Sequence, residues 1–260
     1  MSESLARGVV RPRRQIWSIG GGKGGIGKSL LTASLGWQLA RMGKRVILVD
    51  SDLGGANLHT CLGLANPERT LGDFIRRRAE RIEEVLVETG FPRLRLISGA
   101  SDFLGAANIK YPQKVRVLNR IRALEVDIVL LDLGAGTSYN IIDFFLISDL
   151  GLLMVVPEPT SIENAYRFIK SALYRRFRNA VTHDGVRALI EAALDQKNPQ
   201  GIRTPLDLVA AVAREHPEEA ALLKAEMAAF RPRFVVNQVR EEADAEIGRA
   251  SCRERVCNDV

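Results

Sequence analysis

Cysteine is scarce in this sequence, and what there is cannot build a scaffold. Cys61, Cys252 and Cys257 are the three cysteines of 260 residues, too few and too scattered for a disulfide framework, which fits a reducing compartment. Long apolar runs are missing as well. None approaches the ~20 residues that a membrane-spanning helix needs, and the opening MSESLARGVVRPRRQ has no apolar stretch to serve as a signal peptide. The expected location is therefore the cytoplasm. His59, His183 and His216 lack metal-ligand spacing, and no Ser, His and Asp grouping reads as a catalytic triad. Repeats and low-complexity tracts are absent. The charge excess is small: 37 Lys and Arg face 31 Asp and Glu, a formal +6. Over this length such an excess reads as solubility before it reads as binding to DNA or an anionic membrane.

What is present is an ordinary core-forming composition, with hydrophobic residues at 46% and charged residues at 26%. It allows one main domain around one large core. Apolar runs bounded by turn signals alternate with amphipathic stretches, the pattern of an α/β fold whose mostly parallel sheet is flanked by helices. Strands are expected at residues 15–19, 45–49, 94–97, 127–131, 151–156 and 234–236. Most lack polar alternation, so both faces should be buried. A first helix should begin near Lys28, run through Leu31, Leu35 and Leu39 to Met42, and end at Gly43 in a left-handed turn. Another should start at Thr160, where Thr160 and Glu163 have capping-box spacing.

The chain divides into a basic arm at 1–14, a main domain at 15–247 and a tail at 248–260. Within the domain, a helical, charge-rich stretch at about 175–232, broken at Asn198-Pro199-Gln200-Gly201, reads as an insertion or lid. The tail, GRASCRERVCNDV, resembles a translated vector junction. The natural carboxyl terminus is therefore expected to be missing.

The strongest motif is Gly22-Lys23-Gly24-Gly25-Ile26-Gly27-Lys28-Ser29, a G-x-x-x-x-G-K-S pattern directly after a strand and opening an amphipathic helix. Glycines are required there because side chains would block main-chain amides from converging on phosphate oxygens. The helix amino terminus adds its own positive end. Lys28 should reach the β and γ phosphates of ATP or ADP, and the Ser29 hydroxyl should ligate Mg²⁺. The nucleotide-binding set at this end comprises residues 22–29 and Leu30. Two further segments, VDSDLGGANLH with Asp50 and Asp52 and DIVLLDLGAG with Asp132, place carboxylates at the carboxyl ends of strands, where open α/β sheets hold ligands.

KGGIGKS, with Lys23 just inside the loop, resembles the deviant Walker A motif of the MinD/ParA ATPases, a P-loop NTPase group with a three-layer fold. That resemblance implies several roles. Lys23 would cross a dimer interface to the partner's nucleotide, so that ATP makes a homodimer and hydrolysis undoes it. Asp50 and Asp132 would organise the water shell of Mg²⁺, Asp52 would position the attacking water, and Asn57 would approach the partner's nucleotide. Lys23, Lys28 and Asp52 form the implied catalytic set, and Gly134 would let the second switch loop move. Asn237 in VVNQV resembles the family's purine-reading asparagine.

PEPTSIENAY, from Pro157 to Tyr166, together with DLGGANLH and LDLGAG, resembles the flagellar-number regulators of the FlhG/FleN branch. The implied partners are a flagellar GTPase or another activator, with a membrane surface for a full-length protein only. Two features depart from the branch: the amino terminus lacks its glutamine-bearing activation motif, and the helical stretch is larger than expected. Two other readings stay open. A ParA-like partition ATPase would use Arg167, Lys170, Arg175, Arg176 and Arg178 on DNA. A Mrp-like iron-sulfur carrier would need a close cysteine pair, for which Cys252 and Cys257 are wrongly spaced.

Overall fold

The computed structural model describes residues 14–53, 55–99, 109–195 and 201–242. The arm up to residue 13, the break at 198–200, the tail from 248 and the cysteines Cys252 and Cys257 lie outside the described residues. In chain order the elements are β1 (Gln15–Gly20), α1 (Lys28–Arg41), β2 (Val46–Asp50), α2 (Leu58–Cys61), α3 (Leu71–Ile75), a short 3-10 turn (Ile82–Val85), β3 (Leu86–Glu88) and β4 (Leu94–Ile97). There follow α4 (Tyr111–Ala123), β5 (Ile128–Asp132), α5 (Tyr139–Leu146), β6 (Leu150–Val155), α6 (Pro159–Ala180), α7 (Asp184–Ala192), α8 (Pro205–Ala213), α9 (Pro217–Ala229) and β7 (Arg233–Val236).

Seven strands form one sheet in the order β3-β4-β2-β5-β1-β6-β7. Every pairing is parallel except that of the three-residue β3 with β4. The α/β, three-layer expectation is met, and its physical reason is visible in β2. Val46 and Leu48 join a buried cluster with Ala33 and Ala40 of α1, whereas Ile47 and Val49 join a second cluster with residues of α3 to α6. Side chains of a strand alternate between faces, so a strand covered on both sides must be apolar throughout.

The expected strands are all found, displaced by a residue or so at their ends, and the shift matters at two of them. Asp50 and Asp132 are the last residues of β2 and β5 rather than residues beyond them. The end of α1 is also as expected: Gly43 takes φ +87°, its N–H donates to Ala40 O, and Lys44 N–H donates to Leu39 O. These paired bonds close the helix as a Schellman turn.

Two expectations need correction. Thr160 does not cap a helix. The cap position is Glu158 and Pro159 is the first helical residue, because a proline with its fixed φ and absent N–H suits that position. Glu163 instead pairs with Arg167 one turn on, Nη2 to Oε1 at 2.6 Å. The helical stretch expected from about 175 also has no boundary there, because α6 runs unbroken to Ala180. Leu208, Val209, Val212, Leu223 and Phe230 share one buried cluster with Phe145 and Phe168. That part of the chain is therefore packed into the domain core, which a lid would not be.

Candidate functional site

The loop between β1 and α1 leaves the centre of the sheet at its carboxyl edge, flanked by the ends of β5 and β6. Its backbone is held from three sides. A methyl group added to Gly22 would sit 2.4 Å from Cβ of Asn164 on α6, so only glycine lets the loop approach that helix. Gly27 takes φ +98°, and the helix that begins after it points its first N–H groups back into the loop. Ile26 is buried against Met154 and Val156, and its carbonyl accepts a hydrogen bond from Asn237 Nδ2 at 2.9 Å.

Lys28 lies almost wholly buried, with its Nζ donating to the carbonyl of Lys23 at 3.1 Å. Burial pushes its pKa down, while Asp132 and Asp52 pull it back up. Burying an ammonium is costly unless opposite charge stands near. Here the nearby charges are the strand-end carboxylates. Ser29 stands near enough to Asp132 to pull the carboxyl's pKa down. Leu30 points its side chain into solvent, 63% exposed, so only its main chain can face a ligand in the loop.

Because β2 and β5 pair in register, Asp50 and Asp132 stand directly opposite one another. Burial, followed by the charge of Asp132, raises the Asp50 pKa to about 7, against the opposing pull of hydrogen bonds from the Leu58 and Asp52 N–H groups. Asp132 is raised to about 6 by burial, with Ser29, Lys28 and Thr32 acting in the other direction. Two buried carboxylates side by side resist carrying charge together, a strain that a bound cation would relieve. Asp52 is half-buried, and its Oδ1 accepts from Gly55 N–H at 3.0 Å. Its carboxyl carbon would lie 3.1 Å from a methyl group added to Gly134. Asp52 therefore packs on the loop that follows β5.

The structure brings together residues 22–29, Asp50, Asp52, Asp132 and Asn237 at one edge. Asn57 is exposed there and turned toward its own loop, its Nδ2 donating to Gly55 O at 2.8 Å. Lys23 has a partner that sequence reasoning did not supply: it forms an ion pair with Glu158 at the start of α6. Two more residues were missed. Thr32 Oγ1 donates to Lys28 O at 2.9 Å and lies 3.3 Å from Asp132 Oδ1. Ser51 Oγ donates to Asp132 O at 2.7 Å, tying the ends of β2 and β5. Thr32 was findable, since it sits one helical turn beyond Lys28 on the same face.

Residues Asp50 and Asp132, with the Ser29 hydroxyl, fit a hard, oxygen-liganded cation. Among the described residues no three or more His, Cys, Asp or Glu converge on one point. Mg²⁺ needs no such cage, because it retains waters and takes one or two carboxylates together with phosphate oxygens.

The basic run on α6 is engaged within the fold. Arg175 grips Asp143 with two bonds of 2.9 and 3.0 Å, Arg176 holds Glu226 at 2.7 Å, and Arg178 holds Glu191 at 2.9 Å.

Comparison with known proteins agrees with this geometry. The sequence profile of the CobQ/CobB/MinD/ParA nucleotide binding domain matches residues 17–255. Antiactivator FleN of Pseudomonas aeruginosa is 35% identical over 158 residues, 60% of this chain and 55% of that protein. The flagellum site-determining protein YlxH of Helicobacter pylori is 31% identical over 158 residues, 59% of this chain and 52% of the relative. This chain thus spans about half the length of those relatives. Among solved structures, the septum site-determining protein MinD of Pyrococcus horikoshii, complexed with Mg-ADP, superposes with a TM-score of 0.54 and 29% identity, covering 59% of this chain and 63% of that one. The chain belongs to the CobQ/CobB/MinD/ParA nucleotide binding domain family, on its MinD/ParA side and near FleN and YlxH.

Proposed function

We propose that this chain is an ATPase switch that binds ATP with Mg²⁺ between the loop of residues 22–29 and the carboxylates of β2 and β5. One observation carries the reading: a buried lysine, two opposed buried aspartates and an asparagine bound to the loop all meet at one edge of the sheet. Main-chain N–H groups of the loop and the start of α1 cradle the phosphates, and Lys28 offsets their charge. Asp50, Asp132 and the Ser29 hydroxyl would hold the Mg²⁺, which would supply charge neutralisation at the phosphates. Asp52 orients the attacking water from its place against Gly134. Catalysis of this kind rests on positioning and charge stabilisation, with no nucleophilic side chain. Asn237 reads the purine from the loop's far side.

The switch is dimerisation. Lys23 leaves Glu158 for the nucleotide of a second copy, and Asn57 approaches the same site. The names of YlxH, a flagellum site-determining protein, and MinD, a septum site-determining protein, support a role in placing a cell structure, the flagellum or the division site. The cytoplasm, with peripheral membrane contact in a longer protein, is the proposed location; among the described residues no helix is long and apolar enough to cross a membrane. DNA partition is less well supported, because the arginines it needs are paired inside the fold. The test is solution mass of the Asp52→Ala variant with Mg-ATP, Mg-ADP and no nucleotide. A dimer with Mg-ATP alone is expected; a monomer that nonetheless binds Mg-ATP contradicts the switch.

A further inference from the structure

The first turns of α6 grip the phosphate loop at two successive residues. Gly22 packs so closely on Asn164 that a methyl group there would overlap it. The side chain of Lys23, the next residue, forms an ion pair with Glu158 at the cap of the same helix. The Lys23 carbonyl meanwhile accepts from Lys28 Nζ at 3.1 Å. Both lysines of the loop are thus engaged within the chain, Lys28 by a main-chain oxygen and Lys23 by a full negative charge.

The two arms of the ion pair are unequally stiff. Glu158 stands between Pro157 and Pro159, and a residue before proline is confined to the extended backbone that Glu158 takes, φ −125° and ψ 137°. Its N–H donates to Val156 O at 2.7 Å, and its carbonyl accepts from the N–H groups of Ser161 and Ile162 at 3.0 and 3.1 Å. The positive end of the helix also stabilises its carboxylate without help from a cation. Lys23 leads instead into Gly24 and Gly25, around which a Cβ would meet nothing within 4 Å. Lys23 is therefore the arm that moves. Its side chain is 40% exposed and that of Glu158 50%, so the pair opens without stranding a buried charge.

We propose that Glu158 is an autoinhibitory latch on Lys23, holding the lysine back until a second copy presents a stronger anion. The inference rests on the dimer switch proposed above. A triphosphate carries more negative charge than one carboxylate, and so draws the ammonium away from Glu158. Each dimer opens one latch per protomer, and both act on a single association constant. An exposed ion pair is worth about threefold in an equilibrium, so the two together hold dimerisation back by about tenfold.

The measurement is the dimer dissociation constant in saturating Mg-ATP, by sedimentation velocity, in the Asp52→Ala background. Adding Glu158→Gln, which keeps the shape and removes the charge, should tighten the dimer by about tenfold. Adding Glu163→Gln instead removes another carboxylate of α6, one whose partner is Arg167, and should leave the constant within about twofold. The two glutamate side chains are 50% and 51% exposed, so the fold tolerates either change. An unchanged or weaker dimer with Glu158→Gln, or an equal gain from Glu163→Gln, would overturn the latch and leave the switch standing. Absence of a dimer in all three proteins would overturn the switch, and the latch with it.

Discussion

Asp50 is held where burial and a neighbouring carboxylate both oppose its charge, and the sign of the consequence can be worked out. Its folded pKa is raised to about 7, against about 4 in an unfolded chain. Between those values the native state keeps a proton that the unfolded state releases, so this group's contribution to stability falls as pH rises through the window. Urea unfolding in EDTA should show Asp50→Asn gaining on the unaltered protein between pH 4 and pH 7. Parallel profiles would contradict the assignment. The loop glycines give a second contrast. Gly22→Ala collides with Asn164, whereas Gly24→Ala meets nothing within 4 Å. The first should cost about 1–3 kcal/mol of unfolding free energy and the second markedly less, in the same urea assay. Lys28, Ser29 and the strand-end aspartates were legible because their chemistry is written in adjacent residues. Glu158 was not, since its partner Lys23 is 135 residues away and no local pattern links the two.

Helices α4, α5 and α6 are pinned to one another through a single carboxylate. Asp143 on α5 meets Lys114 of α4 and Arg175 of α6, with side-chain exposures of 10%, 6% and 14%. Asp143→Ala leaves both cations buried without a partner, which should cost about 3–5 kcal/mol. Replacing all three residues with apolar side chains of similar volume should recover most of that loss, as a urea midpoint series would show. Full loss in the triple variant would mean that packing, not charge, holds the three helices. Element types were readable wherever apolar runs were long and bounded, as in β1, β2 and β5. The antiparallel β3 escaped notice, because three residues with no buried side chain carry no period to detect. The start of α6 was misplaced by reading Thr160 and Glu163 as a cap when Pro159 had already set the helix.

For the whole molecule, alternation along the chain announced an α/β sheet but not its strand order, and the order makes the site. Only because β5 lies between β1 and β2 do the phosphate loop, Asp50 and Asp132 share one edge. Asn237 reaches the same loop from β7 through a hydrogen bond spanning 211 residues. No reading of local sequence could supply those adjacencies, although a resemblance to a known family supplied their expected roles. The helical part from α7 to α9 shares its buried cluster with the sheet, so changes there should propagate to the site through packing. The account stands or falls on whether this edge binds nucleotide through Lys28. Equilibrium titration of a fluorescent ATP analogue, with and without Mg²⁺, should show Mg²⁺-dependent binding to the unaltered protein. Lys28→Ala should weaken it by at least about a hundredfold, near 2.7 kcal/mol, with the fold retained by circular dichroism. Equal affinity in the two proteins, or no binding to either, would contradict it.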